Sequence, residues 1–204
     1  GNQGKHIFQK SQPQSTNCST SYRQNHQNYR QISSDINELS STVQKNELCE
    51  TFYDSGQIKE RWTQKHGKLH GMYHSYFESG ALETKIDHKD GKEHGVIELY
   101  YESGQLESKG WNEEGAHQGL FEKFYPSGKV FFTVNFRDDK EEGTSECFHE
   151  NGKLATKAFY KDGCLHGIYE RYFEDGSIEC KKAYGLGIQT GEQVTYYPNG
   201  QIEE

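Results

Sequence analysis

Residues 71–94 read GMYHSYFESGALETKIDHKDGKEH. Two short runs, about Met72–Phe77 and Ala81–Asp87, mix aromatic and branched residues, and glycine bounds each of them. Runs of this length and composition are strands. Glu78-Ser79-Gly80 joins the two. A three-residue hairpin loop closes on a residue at positive φ, which glycine adopts without steric cost. The other joint, Lys89 to Gly95, reads as a longer, charged connection carrying two glycines.

The unit recurs. Gly56, Gly80, Gly104, Gly128, Gly152, Gly176 and Gly200 follow one another at a constant step of 24 residues. Gly71, Gly95, Gly119, Gly143, Gly167 and Gly191 keep the same step, as do Gly67, Gly91, Gly115, Gly163 and Gly187, with Asp139 in the vacant place. A fixed period in this range marks a repeat architecture. No unit has room for a crossover helix, so neighbouring strands must be antiparallel. The fold class expected is all-β: a single elongated antiparallel β-meander of about 13 or 14 strands, two per repeat.

Residues 47–204 are the repeat domain, with about seven repeats. Residues 1–46 are rich in Gln, Asn and Ser and read as a polar, extended or disordered segment. Within it Ser34–Leu39 has the spacing of a short capping helix, with Asp35 and Glu38 at cap and N3 positions.

The motif Tyr-Tyr-Glu-Ser-Gly-Gln-Leu (Tyr100–Leu106), with Asp-Gly-x-x-His-Gly (Asp162–Gly167), resembles the variant MORN repeat. It resembles in particular the YwqK-like antitoxin proteins built from that repeat, over about residues 47–204. The resemblance implies a non-enzymatic binding protein, an antitoxin or immunity protein that neutralises a toxic effector by steric contact. A structural or adaptor repeat protein at a membrane surface is the second reading. Between Arg137 and His149 the pattern changes: Asp139 replaces a turn glycine, Glu142 replaces the turn histidine, and Ser145 and His149 replace aromatics. That repeat is expected to be looser or specialised.

Composition suits a thin sheet. Of the 204 residues 31% are hydrophobic, yet 14 are Tyr and 11 Phe, and mean hydropathy is −1.06. Such a sheet is held by nearest-neighbour and aromatic contacts. A net charge of −8 argues against a nucleic-acid partner. No apolar stretch approaches the roughly 20 residues of a transmembrane helix. A polar segment ahead of a folded array suits a periplasmic or membrane-tethered protein after signal removal, with room for a lipid anchor. The five cysteines, an odd number with no facing pair, read as free thiols and point instead to a reducing, cytoplasmic setting. Cys147 and Cys180 are expected on opposite faces.

Alternation along the strands separates two candidate surfaces. Positions 72, 74 and 76 are read as sharing a face with 82, 84 and 86. This even face places an aliphatic and an aromatic in nearly every unit and is expected to be the stacking core. It also carries a carboxylate column of Glu98, Glu122, Glu146 and Glu170, preceded by Glu50. The column is either a hydrogen-bonding ladder to Thr or Ser or an acidic groove for a basic partner. The odd face mixes Tyr73, Phe77, Tyr101, Phe121, Lys123, Tyr125, Tyr169, Arg171 and Phe173. Exposed aromatics among charges have the composition of a protein–protein surface, so these nine are the expected partner-binding residues.

His66, His70 and His74 are spaced by four, but on turns and strands they do not share a helical face, so no metal is expected. The histidines at 70, 94 and 166, each before a glycine, suggest turn hydrogen bonding. Phosphate-binding loops, nucleophile elbows and CxxC pairs do not occur. Neither catalytic residues nor cofactors are expected, and the partner expected is a toxic protein encoded nearby.

Overall fold

A computed structural model describes residues 46–203. The possible helix at Ser34–Leu39 lies outside the described residues. Seventeen segments form one sheet. They are β1 (Glu47–Phe52), β2 (Ile58–Lys65), β3 (Lys68–Tyr76), β4 (Leu82–Lys89), β5 (Lys92–Tyr100), β6 (Leu106–Glu113), β7 (Ala116–Phe124) and β8 (Val130–Arg137). There follow β9 (Lys140–Glu141), β10 (Gly143–Phe148), β11 (Leu154–Lys161), β12 (Cys164–Leu165), β13 (Gly167–Tyr172), β14 (Ile178–Gly185), β15 (Ile188–Gln189), β16 (Val194–Tyr196) and β17 (Ile202–Glu203). Each pairs antiparallel with its neighbour in the chain, so the sheet is a meander. β9 and β10 both pair with β8, β12 and β13 with β11, and β15 and β16 with β14. Each of those pairs is one strand position interrupted by a bulge. Among the described residues, the antiparallel meander expected from the period is the fold found.

Two turn types alternate. At Tyr101–Gln105 the Tyr101 N–H donates to Gln105 O and the Gly104 N–H to Tyr101 O, both at 2.8 Å. Gly104 stands at φ 86°, and the other six glycines of its series lie between 81° and 89°. The second joint is tighter than its sequence suggests. Lys89 pairs directly with Lys92, so the loop is only Asp90-Gly91, with both residues at positive φ (53° and 88°). That is the two-residue primed turn whose twist matches the flanking strands. Gly95 belongs to a bulge inside β5; a Cβ there would lie 2.9 Å from an oxygen of Asp87.

The turns also bind repeat to repeat. The Gly91 N–H donates to Leu69 O and the Gly115 N–H to Glu93 O, each at 2.8 Å. On the opposite margin the hydroxyls of Tyr53, Tyr101 and Tyr125 donate to the carbonyls of Tyr76, Phe124 and Phe148, all at 2.7 Å. In the divergent repeat His149 Nε2 meets Tyr172 O at 3.0 Å and does the tyrosine's work. Glu142 does the histidine's work. Its carboxylate accepts the Asp162 N–H at 2.9 Å, where His70 and His94 accept the N–H of Asp90 and Glu114 at 3.4 Å. Asp138 and Asp139 form the same two-residue turn at φ 50° and 63°. Asp139 Oδ1 accepts the His117 N–H at 2.8 Å. The expectation of a looser repeat therefore does not hold at these contacts, because Asp139, Glu142 and His149 each bond a neighbouring repeat.

Tyr125→Phe should accordingly cost about 0.5–1.5 kcal/mol, the net worth of one hydrogen bond. Phe77 occupies the equivalent position without a hydroxyl, so Phe77→Tyr should gain a similar amount. Urea unfolding of both variants checks the pair, and equal midpoints would contradict the role given to the hydroxyl.

Candidate protein-docking face

Registers decide what each face presents. Tyr73 pairs with Ile86, Ser75 with Thr84, and Tyr76 with Leu82. A bulge at Glu83 thus separates the turn-proximal pair from the rest of the hairpin. Beyond it, odd positions of the first strand share a face with even positions of the second. The face assignment expected from simple alternation is therefore corrected: 72 and 74 lie with 87 and 85, not with 84 and 86. Inserting one residue moves every later side chain to the other face.

The odd first-strand side is the buried face. Cys49, Trp62 and Tyr73 form a core cluster with Leu69 and Ile86 packed against it. Ile97, Phe121, Val134, Ala158 and Cys180 are buried along the same face, with Ser75, Thr84, Ser108 and Ser145 between them. Gly110 fits here because Phe121 lies over it, 3.2 Å from where a Cβ would stand. Cys147 pairs with Thr156, Thr156 with Arg171 and Arg171 with Cys180. The two cysteines thus share a face, contrary to expectation. Three strand steps, about 14 Å, keep them apart, and both thiols are free.

The nine odd-face candidates line this buried face and its turn margin. Tyr73 and Phe121 are only 9% and 8% exposed. Tyr101 and Tyr125 hold the next repeat's backbone, and burial pushes both phenols above their ordinary value. Phe77 and Phe173 begin hairpin turns. Tyr169 packs edge-on to Tyr184 at 6.4 Å. Lys123 pairs with Glu107 at 3.3 Å, and the half-exposed Arg171 pairs with Glu179 at 2.6 Å. All nine lie together, but most are occupied in holding repeats to one another.

The even first-strand side is the open face. Its central column runs through the registers without a break: Glu50, Arg61, His74, Lys85, Glu98, Lys109, Glu122, Thr133, Glu146, Lys157, Glu170, Lys181. Arg61 meets Glu50 at 2.7 Å, Lys85 meets Glu98 at 2.8 Å and Lys109 meets Glu122 at 2.8 Å. Lys157 meets Glu146 at 3.3 Å and Lys181 meets Glu170 at 2.9 Å. Each cross-strand pair contributes about 0.2–1 kcal/mol. The carboxylates of the second candidate column thus face cations; Thr133 is the one hydroxyl residue in the column. Carboxylates and cations balance along it, so the column as a whole is no acidic groove.

Lys85, and then the Tyr100 hydroxyl, hold the Glu98 carboxyl below its ordinary value against the opposing effect of burial. Lys181 and Tyr172 do the same for Glu170, while burial and Glu170 push Tyr172 up to about 12. Burial, with Lys85 and Arg61 on either side, lowers His74, and burial lowers His88. Lowered histidines bind fewer protons folded than unfolded. Their contribution is present above the ordinary value near 6.5 and is lost as pH falls through it. The lowered carboxyls lose theirs only below about 4.5. Stability should therefore fall in two stages on acidification. His74→Gln with His88→Gln should flatten the stage between pH 7 and 5, as read by urea midpoints; an unchanged slope would contradict the assignment.

Beside the ladder runs an apolar column. Val96 pairs with Trp111, Leu120 with Asn135, Thr144 with Phe159, and Ile168 with Ala183. Trp111 is 47% exposed, Leu120 49%, Phe159 42% and Ile168 56%. Phe159, Ile168 and Thr144 border a shallow depression floored by Lys157, Glu170 and Lys181. Simple alternation put Leu120 and Ile168 on the stacking face, and it singled out neither Trp111 nor Phe159, so the exposed column was missed. Among the described residues no group of three or more His, Cys, Asp or Glu is placed to hold a metal ion. No helix among them is long and apolar enough to cross a membrane.

The periodic turns, bulges and registers match a described repeat. The family profile of the MORN repeat variant matches residues 93–110, 118–138, 141–162, 165–184 and 189–204. The array therefore carries five repeats of that variant. Residues 47–92 repeat the same strands and turns ahead of them. None of the curated proteins matches the chain. Two solved structures of TarM, the first from S. aureus, show a distant likeness. A mutant in complex with Fondaparinux, alpha-GlcNAc-glycerol and UDP is 12% identical with a TM-score of 0.33, covering 66% of this chain and 24% of that one. The second is 11% identical with a TM-score of 0.31, covering 67% and 25%. The chain spans about a quarter of the length of those proteins, and a likeness at this level assigns no function.

Proposed function

We propose that this repeat-based binding protein is an antitoxin or immunity protein that covers a toxic protein with its open face and contributes no chemistry of its own. The observation that carries the docking surface is the column Trp111, Leu120, Phe159 and Ile168, exposed beside a charge-balanced ladder. Aromatic and aliphatic anchors rimmed by paired charges form the pattern of protein interfaces. The resemblance to YwqK-like antitoxins supports a toxic effector as the partner. Inhibition by coverage asks for a rigid surface, and a repeat sheet bonded from turn to turn along both margins suits one.

Co-expression with the toxic enzyme encoded beside this chain tests the reading. The parent chain should restore growth and co-purify with the enzyme. Growth arrest despite soluble expression of both proteins would overturn it.

A further inference from the structure

We infer that the open face carries a receptor for one cationic side chain, centred on Thr133, which a lysine or arginine of the toxic partner fills. This rests on the reading of the open face as the docking surface. In the ladder the second-strand place holds a cation in every other complete hairpin: Arg61, Lys85, Lys109, Lys157 and Lys181. Thr133 interrupts that series. It pairs with Glu122 on one side and Glu146 on the other, so two carboxylates flank a missing cation about 5 Å to either side.

Each carboxylate is half used. Glu122 Oε2 binds Lys109 at 2.8 Å and Glu146 Oε1 binds Lys157 at 3.3 Å. Among the described residues the ion pairs of these two carboxylates run through Oε2 of Glu122 and Oε1 of Glu146, which leaves Oε1 of Glu122 and Oε2 of Glu146 for another donor. A depression of about 540 Å³ opens beside Thr133 and Glu146, lined also by Lys129, Val130 and Phe148. The Lys129 ammonium donates to Glu150 O at 2.8 Å, and Glu122 borders Thr133 from outside this lining. The shorter threonine leaves room that the lysines elsewhere fill. Val130 and Phe148 suit the methylenes of a long side chain, and the free carboxylate oxygens suit its charged head. A lysine or arginine there would complete the alternation with a residue of another chain.

The probe is N-acetyl-lysine methylamide, titrated into the full chain and followed by amide chemical shifts, with N-acetyl-norleucine methylamide as the uncharged control. Saturable shifts should centre on Glu122, Thr133 and Glu146. They should weaken about threefold to fivefold in Thr133→Lys, which fills the gap, and in Glu146→Gln, which removes one acceptor. Equal shifts at Glu98 and Glu170, or binding unaffected by both substitutions, would overturn the receptor. A second arm measures the affinity of the toxic partner. Thr133→Lys sets like charge against the partner's cation and should weaken the complex about tenfold or more; unchanged affinity would overturn the assignment of the occupant. If the parent chain binds no toxic partner, the functional reading fails, while the probe titration still decides whether the receptor exists.

Discussion

Replacing Gly104 with valine should lower the stability of the array by about 1–3 kcal/mol, whereas Gln105→Val should change it by about 0.5 kcal/mol at most. Gly104 stands at φ 86°, where a β-branched residue is strained. No atom lies within 4 Å of a Cβ built there, so the cost is one of backbone conformation and repacking cannot relieve it. Its N–H also closes the turn onto Tyr101 O. Tyr101 in turn bonds the next repeat's Phe124 O, so a distorted turn loosens two repeats. Stability in such arrays is close to a sum of repeat and nearest-neighbour terms, and the loss should spread no further than the adjoining hairpins. Urea unfolding followed by far-ultraviolet circular dichroism measures it, and equal midpoints for the two variants would contradict the turn assignment.

Trp111→Ala combined with Phe159→Ala should abolish high-affinity binding of the partner while leaving the sheet intact. Four strand steps, about 19 Å, separate the two residues, within reach of one ordinary interface. Both are large, apolar and nearly half exposed, so truncation removes little packing within the sheet. Anchors of this kind carry about 2 kcal/mol or more each, roughly thirtyfold in Kd apiece. Tyr125→Ala is the informative contrast. It deletes a bond to Phe148 O and an edge contact with Phe131 at 5.0 Å, so it should lower the melting temperature before it affects recognition. Calorimetric titration and thermal melts separate the two behaviours.

Much of the fold was legible because turn chemistry is local. The Gly56 series announced its three-residue loops, and the meander followed from a unit too short for a crossover. The recurrent histidines pointed to turn bonding; His70 and His94 do accept the next turn's N–H, whereas the buried Nδ1 of His166 meets no hydrogen-bond partner among the described residues. The faces were less legible. The bulge at Glu83 and its counterparts carries no residue signature, yet it flips the parity of every position beyond it. Alternation alone therefore put the stacking core on the wrong side, Leu120 and Ile168 with it, and left Trp111 and Phe159 on the opposite face from them. The glutamate column was visible in the sequence, but its lysine partners come from strands of opposite parity, so the ladder appears only once the register is known. Glu142 and His149 were visible as departures, while the bonds they remake depend on neighbours about one repeat away.

Hydroxyl-radical footprinting of the chain, free and bound to the toxic partner proposed for it, tests the open face most directly. Protection is expected at Trp111, Leu120, Phe159 and Ile168, with the turn residues on both margins as reactive as in the free protein. Protection confined to the turns or to the buried-face residues around Arg171, with those four side chains unchanged, would contradict the assignment of the open face as the docking surface.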